Sequence, residues 1–150
     1  MKRIGITLGD PKGIGPEVVA KAIARLEKSL SCSFVLFGES ATAERQKLTD
    51  AEAGRQAGVA IEAAVQAAQA GEIDAIVTAP LNKERLNRGG YPYPGHTEML
   101  AALTGAPAPV MMFVAKHLKV SLVTIHEPLS EIPRLLTREK ITAVVRETAR

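Results

Sequence analysis

Residues able to do acid–base, anion-binding or metal chemistry gather in four short segments. They are Gly9-Asp-Pro-Lys-Gly-Ile-Gly-Pro-Glu17, Thr78-Ala-Pro-Leu-Asn-Lys83, Gly95-His-Thr-Glu98 and His126-Glu-Pro-Leu129. The first carries Gly9, Gly13 and Gly15 ahead of a helix start. Glycine permits sharp turns and close backbone approach, and a helix N-terminus favours an anion. The spacing is neither the dinucleotide fingerprint nor a Walker A loop. It therefore leaves open either ligand contact or a tight strand-to-helix turn. Asp10 either orients a ligand or caps that turn, and Lys12 either meets a phosphate or is a solvated loop lysine. Lys83 could reach an anionic group as a compact, mobile charge, or could be an ordinary surface lysine.

The segment around His96 is stiffer. Pro92 and Pro94 fix φ at two positions, and Gly95 relaxes the steric limit just before His96. Thr97 is expected to cap a helix carrying Met99, Leu100 and Leu103. An imidazole and a hydroxyl held at a helix start can both donate to an incoming oxygen. The alternative is a histidine that merely caps the helix. His126 directly follows an apolar run and should emerge at the sheet's carboxyl edge. There an imidazole suits a metal or a substrate, or is satisfied by a neighbouring carbonyl. His117 reads as a loop residue, and Glu98 and Glu127 as ligands, bases or solvated carboxylates. One histidine does not make a catalytic zinc site, which usually has three protein ligands.

The elements that must position these groups follow from periodicity. Arg3–Leu8, Ser33–Phe37, Asp74–Thr78, Val110–Val114 and Val120–Ile125 read as strands. Pro16 suits the first position of a helix, which continues through Val18, Val19, Ala22, Ile23 and Leu26 on one face. Thr49-Asp-Ala-Glu52 fits a capping box. It opens an alanine-rich helix to Ala70, which Gly71 stops. Arg138–Ala149 reads as a further helix, and Glu39–Asp50 as polar and linker-like. Strands alternating with helices predict an α/β fold with a mainly parallel sheet flanked by helices. The five residues between the last two strands are too few for a helical crossover, so that pair is expected to be antiparallel.

A length of 150 residues suggests a single α/β domain, 1–150. The net charge is +3 and aromatics are 3%, with no Trp, which gives no stacking platform for nucleic acid. No apolar run is long enough to span a bilayer, so no membrane partner is expected. The absence of a signal-peptide pattern and the single Cys32, read as a small buried apolar residue, suggest a cytoplasmic, reducing setting.

Together the motifs carry a resemblance. Ile6-Thr-Leu-Gly-Asp-Pro-Lys-Gly-Ile-Gly-Pro-Glu17 resembles the N-terminal signature of the 4-hydroxythreonine-4-phosphate dehydrogenase family of pyridoxal phosphate biosynthesis. Ile76-Val-Thr-Ala-Pro-Leu-Asn-Lys83, Gly90-Tyr-Pro-Tyr-Pro-Gly-His-Thr-Glu98 and Thr124-Ile-His-Glu-Pro-Leu129 match in the same order. The resemblance implies part of an isocitrate/isopropylmalate dehydrogenase-like fold. It implies NAD-dependent oxidation and decarboxylation of a small phosphorylated hydroxy acid, a divalent metal (Zn, Mg or Co), and a homodimer with sites between subunits. It assigns His96 and Thr97 to substrate and His126 to metal. From their residue types and spacing alone, Asp10, Lys12, Gly13, Gly15 and Lys83 are candidates for an anion or cofactor loop. Relative to the family the chain looks shortened. A segment is missing between Phe37 and Ala51, and the motifs carrying two further metal histidines lie beyond Arg150. A non-catalytic fragment, or a reduced or designed α/β domain keeping only part of the site, is therefore the rival reading.

Overall fold

A computed structural model of the chain describes residues 1–26, 29–39, 45 and 47–149. The chain forms two compact units, Met1–Ala106 and Pro107–Arg150.

In the first unit, β1 (Lys2–Thr7), β2 (Cys32–Phe37) and β3 (Ala75–Thr78) form a parallel sheet in the order β2-β1-β3. The register sets Ile4 opposite Phe34 and Ala75, and Thr7 opposite Phe37 and Thr78. Side chains alternate across a strand, so the two faces collect different residues. One face holds Ile6, Leu8, Val19 and Ala79, with Ile4, Ile23 and Phe34 packed against them. It is covered by α1 (Gly15–Leu26), whose Pro16 lies buried at its start. Beside α1 an apolar groove of about 530 Å³ remains open, lined by Ile4, Ile6, Val18, Leu26, Phe34 and Val77 among others. Cys32 is half-buried in its lining rather than enclosed.

The other face is covered by α2 (Asp50–Gln69). The predicted capping box forms: the Thr49 hydroxyl accepts from the Glu52 amide and the Glu52 carboxylate accepts from the Thr49 amide. That bonding holds the Glu52 carboxyl below the usual range, the hydroxyl of Thr49 contributing most. The alanine face of α2 is almost fully buried, and Ile61, Val65, Leu86 and Met99 make a second core with Ile76, Leu81, Tyr91 and Leu103 around it. Leu86 belongs to α3 (Lys83–Arg88) and Met99 to α4 (His96–Thr104). Small residues let these helices approach closely. A Cβ on Gly54 would strike the Arg85 carbonyl, and one on Gly58 would strike the Tyr91 ring.

The second unit is a hairpin of β4 (Met112–Val114) and β5 (Lys119–Ser121), then a 3-10 turn (Leu129–Glu131), α5 (Ile132–Leu135) and α6 (Arg138–Thr148). The hairpin is antiparallel, as its short connection requires, with Phe113 opposite Val120. Both strands are shorter than the apolar runs predicted. An apolar run marks extended chain, but a strand also needs a partner, and the ladder's last rung is Leu122 N to Met111 O at 2.9 Å. Thr137 caps α6, accepting from Lys140 N at 3.2 Å.

Candidate functional site

The carboxyl edge of the parallel sheet brings the first two motifs together. Gly9 adopts φ 73°, in the left-handed region, and a Cβ there would strike the Pro80 carbonyl. Asp10 N donates to that same carbonyl at 3.1 Å. The loop after β1 thus lies directly on the Thr78-Ala-Pro80 segment.

The loop's polar groups are largely engaged within the chain. Asp10 is only 5% exposed. Its carboxylate accepts from Lys12 N at 2.9 Å and from Arg85 Nη1 at 2.6 Å. Its carbonyl accepts from Gly13 N at 2.9 Å. So Asp10 does cap the turn, and it also holds an arginine that the sequence reasoning overlooked. Lys12 is not a solvated loop lysine. Its ammonium donates to Leu48 O at 2.8 Å and pairs with Asp50 at 3.4 Å. Gly15 is buried, and a Cβ there would strike the Leu8 carbonyl; its role is packing between helix and strand. Arg85 completes the cluster, donating Nε to Asp50 at 2.9 Å, while Arg88 reaches Asp50 at 3.3 Å. The Arg85 hydrogen bond, ahead of Lys12, holds the Asp50 carboxyl below the usual range. The same pairing, with Asp10 first, makes Arg85 still harder to deprotonate.

His96 stands a short way along the chain. Helix α4 begins at His96 itself, with Gly95 as N-cap and no side-chain capping bond. Thr97 therefore lies in the first turn and is not the cap. Gly95 is extended, with φ 178°, a conformation any residue adopts, so the expected steric relief is not needed there. What Gly95 provides is an empty place: a Cβ would stand 3.9 Å from Lys83 Nζ and 3.4 Å from Glu98 Oε2. Lys83, His96 and Glu98 thus converge on Gly95. The His96 Nε2 atom is buried and has no hydrogen-bond partner among the described residues. Burial first, and the Lys83 charge second, lower the proton affinity of this imidazole below that of an ordinary histidine. At neutral pH it is a neutral ring whose buried nitrogen is free for an outside donor or acceptor.

The approach to His96 is held by more than its prolines. The Tyr91 hydroxyl donates to Glu62 on α2 at 2.9 Å, and Tyr91 N donates to Leu86 O at 3.1 Å. Burial, then Glu62, push the Tyr91 hydroxyl up to about 12. Glycine recurring at Gly54 and Gly58 within an alanine-rich helix was the available signal for this close contact. Nothing in one sequence pairs Arg85 with Asp10 in preference to any other acid.

His126 belongs to the second unit. It does not directly follow a strand, because β5 ends at Ser121. It is exposed, with φ 59°, an uncommon conformation for any residue with a side chain. His117 lies exposed in the β4–β5 turn, as expected. Among the described residues no group of three or more His, Cys, Asp or Glu could hold a metal ion. A divalent metal thus does not fit the described residues by themselves. No described helix is long and apolar enough to cross a membrane.

Comparison with known proteins gives the same direction. The family described as pyridoxal phosphate biosynthetic protein PdxA matches residues 15–150. A 4-hydroxythreonine-4-phosphate dehydrogenase of Geobacter metallireducens is 39% identical, over 99% of this chain and 56% of that protein. The crystal structure of such a dehydrogenase from Burkholderia phymatum superposes with a TM-score of 0.85 at 34% identity, covering 97% of this chain and 56% of that one. The corresponding Klebsiella pneumoniae structure gives 0.78 at 30% identity, covering 97% and 57%. The chain thus spans about half the length of the relatives it matches. Its α/β architecture is that of these neighbours, the isocitrate/isopropylmalate dehydrogenase-like fold implied by the sequence resemblance. Motifs, fold and comparisons agree: the chain belongs to the PdxA family of pyridoxal phosphate biosynthesis.

Proposed function

We propose that this chain supplies the substrate-holding part of a dehydrogenase that oxidises and decarboxylates a small phosphorylated hydroxy acid with NAD. The observation that carries the reading is the buried, unpartnered His96 Nε2 beside Lys83 at the start of α4. A neutral imidazole can bond a substrate oxygen, Thr97 in the same helical turn adds a hydroxyl, and the Lys83 ammonium attracts an anionic group. Fixing these groups before binding reduces the ordering cost. Asp10, Lys12, Gly13 and Gly15 contribute as a rigid floor, since their polar groups are mostly turned inward. NAD supplies the hydride acceptor when bound. His126 is proposed as one metal ligand, with further ligands supplied from beyond the described residues. A second copy of the chain is the expected partner in a homo-oligomer, and the cytoplasm is the expected setting.

The lack of a three-ligand group among the described residues favours a second reading, in which these 150 residues fold and bind but do not turn over. Calorimetric titration with 4-phosphooxy-threonine tests the first, alongside His96→Gln and Lys83→Met. Binding weakened tenfold or more in both variants supports it, and equal binding in all three proteins refutes it. NADH formation with added Zn²⁺ or Mg²⁺, read at 340 nm, separates the two readings. Turnover by the chain alone would rule out the second.

A further inference from the structure

The cluster at the sheet edge joins three segments that lie apart in the chain. Arg85 reaches Asp10 at 2.6 Å and Asp50 at 2.9 Å. Asp10 roots the loop after β1, Asp50 opens α2, and Arg85 sits in the middle of α3. Helix α3 has six residues, too few to hold their own geometry in water, so its orientation is set by its anchors. Leu86 is fully buried on one side, and the backbone at Arg85 lies against Gly54. Those contacts fix the depth of the helix. The Arg85 guanidinium, clamped in two directions by carboxylates, fixes its rotation. Lys83 is the first residue of the same helix, and its ammonium is the cation beside Gly95 and His96.

We infer that Arg85 is a positioning residue: its pairing with Asp10 and Asp50 sets where the Lys83 ammonium stands relative to His96. Asp10 is buried and already receives Lys12 N, so the arginine cannot slide along an open carboxylate. Arg88 meets the outer oxygen of Asp50 but not Asp10, which makes it the natural control on the same helix with the same charge. The relevance to catalysis rests on the proposed role of His96, but the geometric claim does not.

The test is the titration of the His96 imidazole, followed by NMR in the intact chain with Arg85→Met, Arg88→Met, Lys83→Met and the Arg85→Met/Lys83→Met pair. Lys83→Met should raise the His96 midpoint by removing a neighbouring cation. Arg85→Met should raise it more than Arg88→Met does, and should add nothing in the Lys83→Met background, because it acts through Lys83. Asp10→Asn should repeat the Arg85→Met shift, and Arg85→Lys should restore part of the original value. Equal shifts from Arg85→Met and Arg88→Met would overturn the inference, as would a shift that adds in full to that of Lys83→Met. If Arg85→Met fails to fold, Asp10→Asn carries the same comparison. Failure of the wild-type chain to bind 4-phosphooxy-threonine would count against the proposed function and leave this result standing.

Discussion

The Tyr91 ring lies directly against Gly58, closing α2 onto the segment that leads to His96. Two effects oppose each other if Gly58 becomes alanine. The helix gains about 1 kcal/mol of propensity, but the new Cβ must push an aromatic ring that is already bonded to Glu62. Overpacking of this kind costs roughly 1–3 kcal/mol. Gly58→Ala should therefore destabilise, by about 1 kcal/mol net, in urea unfolding. Gly54→Ala should be worse, because its Cβ meets the Arg85 backbone rather than a movable side chain. A stabilised Gly54→Ala would contradict the packing described.

Tyr91→Phe removes the bond to Glu62 and should cost about 1 kcal/mol near neutral pH. The same variant changes the alkaline limb. The Tyr91 hydroxyl is held up to about 12 in the folded chain, against 10.0 ordinarily. Between these values the unfolded chain loses its proton more readily, so stability falls as pH rises through that window. Tyr91→Phe should flatten that fall, measured by urea unfolding from pH 9 upward.

His96 acts at the other end of the scale. Its imidazole is harder to protonate in the fold than the ordinary 6.5. The unfolded chain therefore binds the proton better. The contribution of His96 to stability is complete above about pH 6.5 and declines as pH falls below it. His96→Gln should remove this part of the acid dependence. An unchanged slope below pH 6.5 would show that the ring is freely hydrated.

The cap on α2 gives a simpler expectation. Thr49→Ala removes the hydroxyl that accepts from the Glu52 amide and donates to the Glu52 carboxylate, leaves the backbone bond from Thr49 N, and should cost about 1 kcal/mol. Thr49→Ser should keep most of it. Thermal denaturation of the two variants makes the comparison.

Thr7 offers the reverse sign. Its hydroxyl is fully buried in β1 and has no partner among the described residues. An unmade buried bond costs about 1–3 kcal/mol, so Thr7→Val, of similar shape, should raise the melting temperature. A lower melting temperature would mean that the hydroxyl bonds an ordered water.

Much of this frame was legible in the residues. Thr49 and Glu52 announced the start of α2 because a capping box is local and stereochemically specific. The apolar run Arg3–Leu8 announced β1, and the short link after Val114 announced an antiparallel pair. The site was legible only in its residue types. His96 drew attention through Pro92, Pro94 and Gly95, yet the geometry assigned the cap to Gly95 and the loop's anchorage to Tyr91. Lys12 looked solvated because its partners, Leu48 and Asp50, lie dozens of residues away. Long-range ion pairs leave no periodic trace, so Arg85 was invisible until the chain was folded. His126 was misplaced for a different reason: apolar residues continue through Ile125, while strand pairing stops at Ser121.

The two faces of the parallel sheet are unequally fastened. On the α2 side, alanines and glycines bring helix and strands into dense contact; on the α1 side, a groove of about 530 Å³ stays open beside the helix. Partial unfolding should follow that inequality. The backbone amides of α1 should trade hydrogen for deuterium through an opening well below the global unfolding energy. Those around Ile61 and Val65 should wait for the whole unit to come apart. Because α2 and the helices packed on it carry Lys83 and His96, the candidate site rests on the part of the molecule that lets go last.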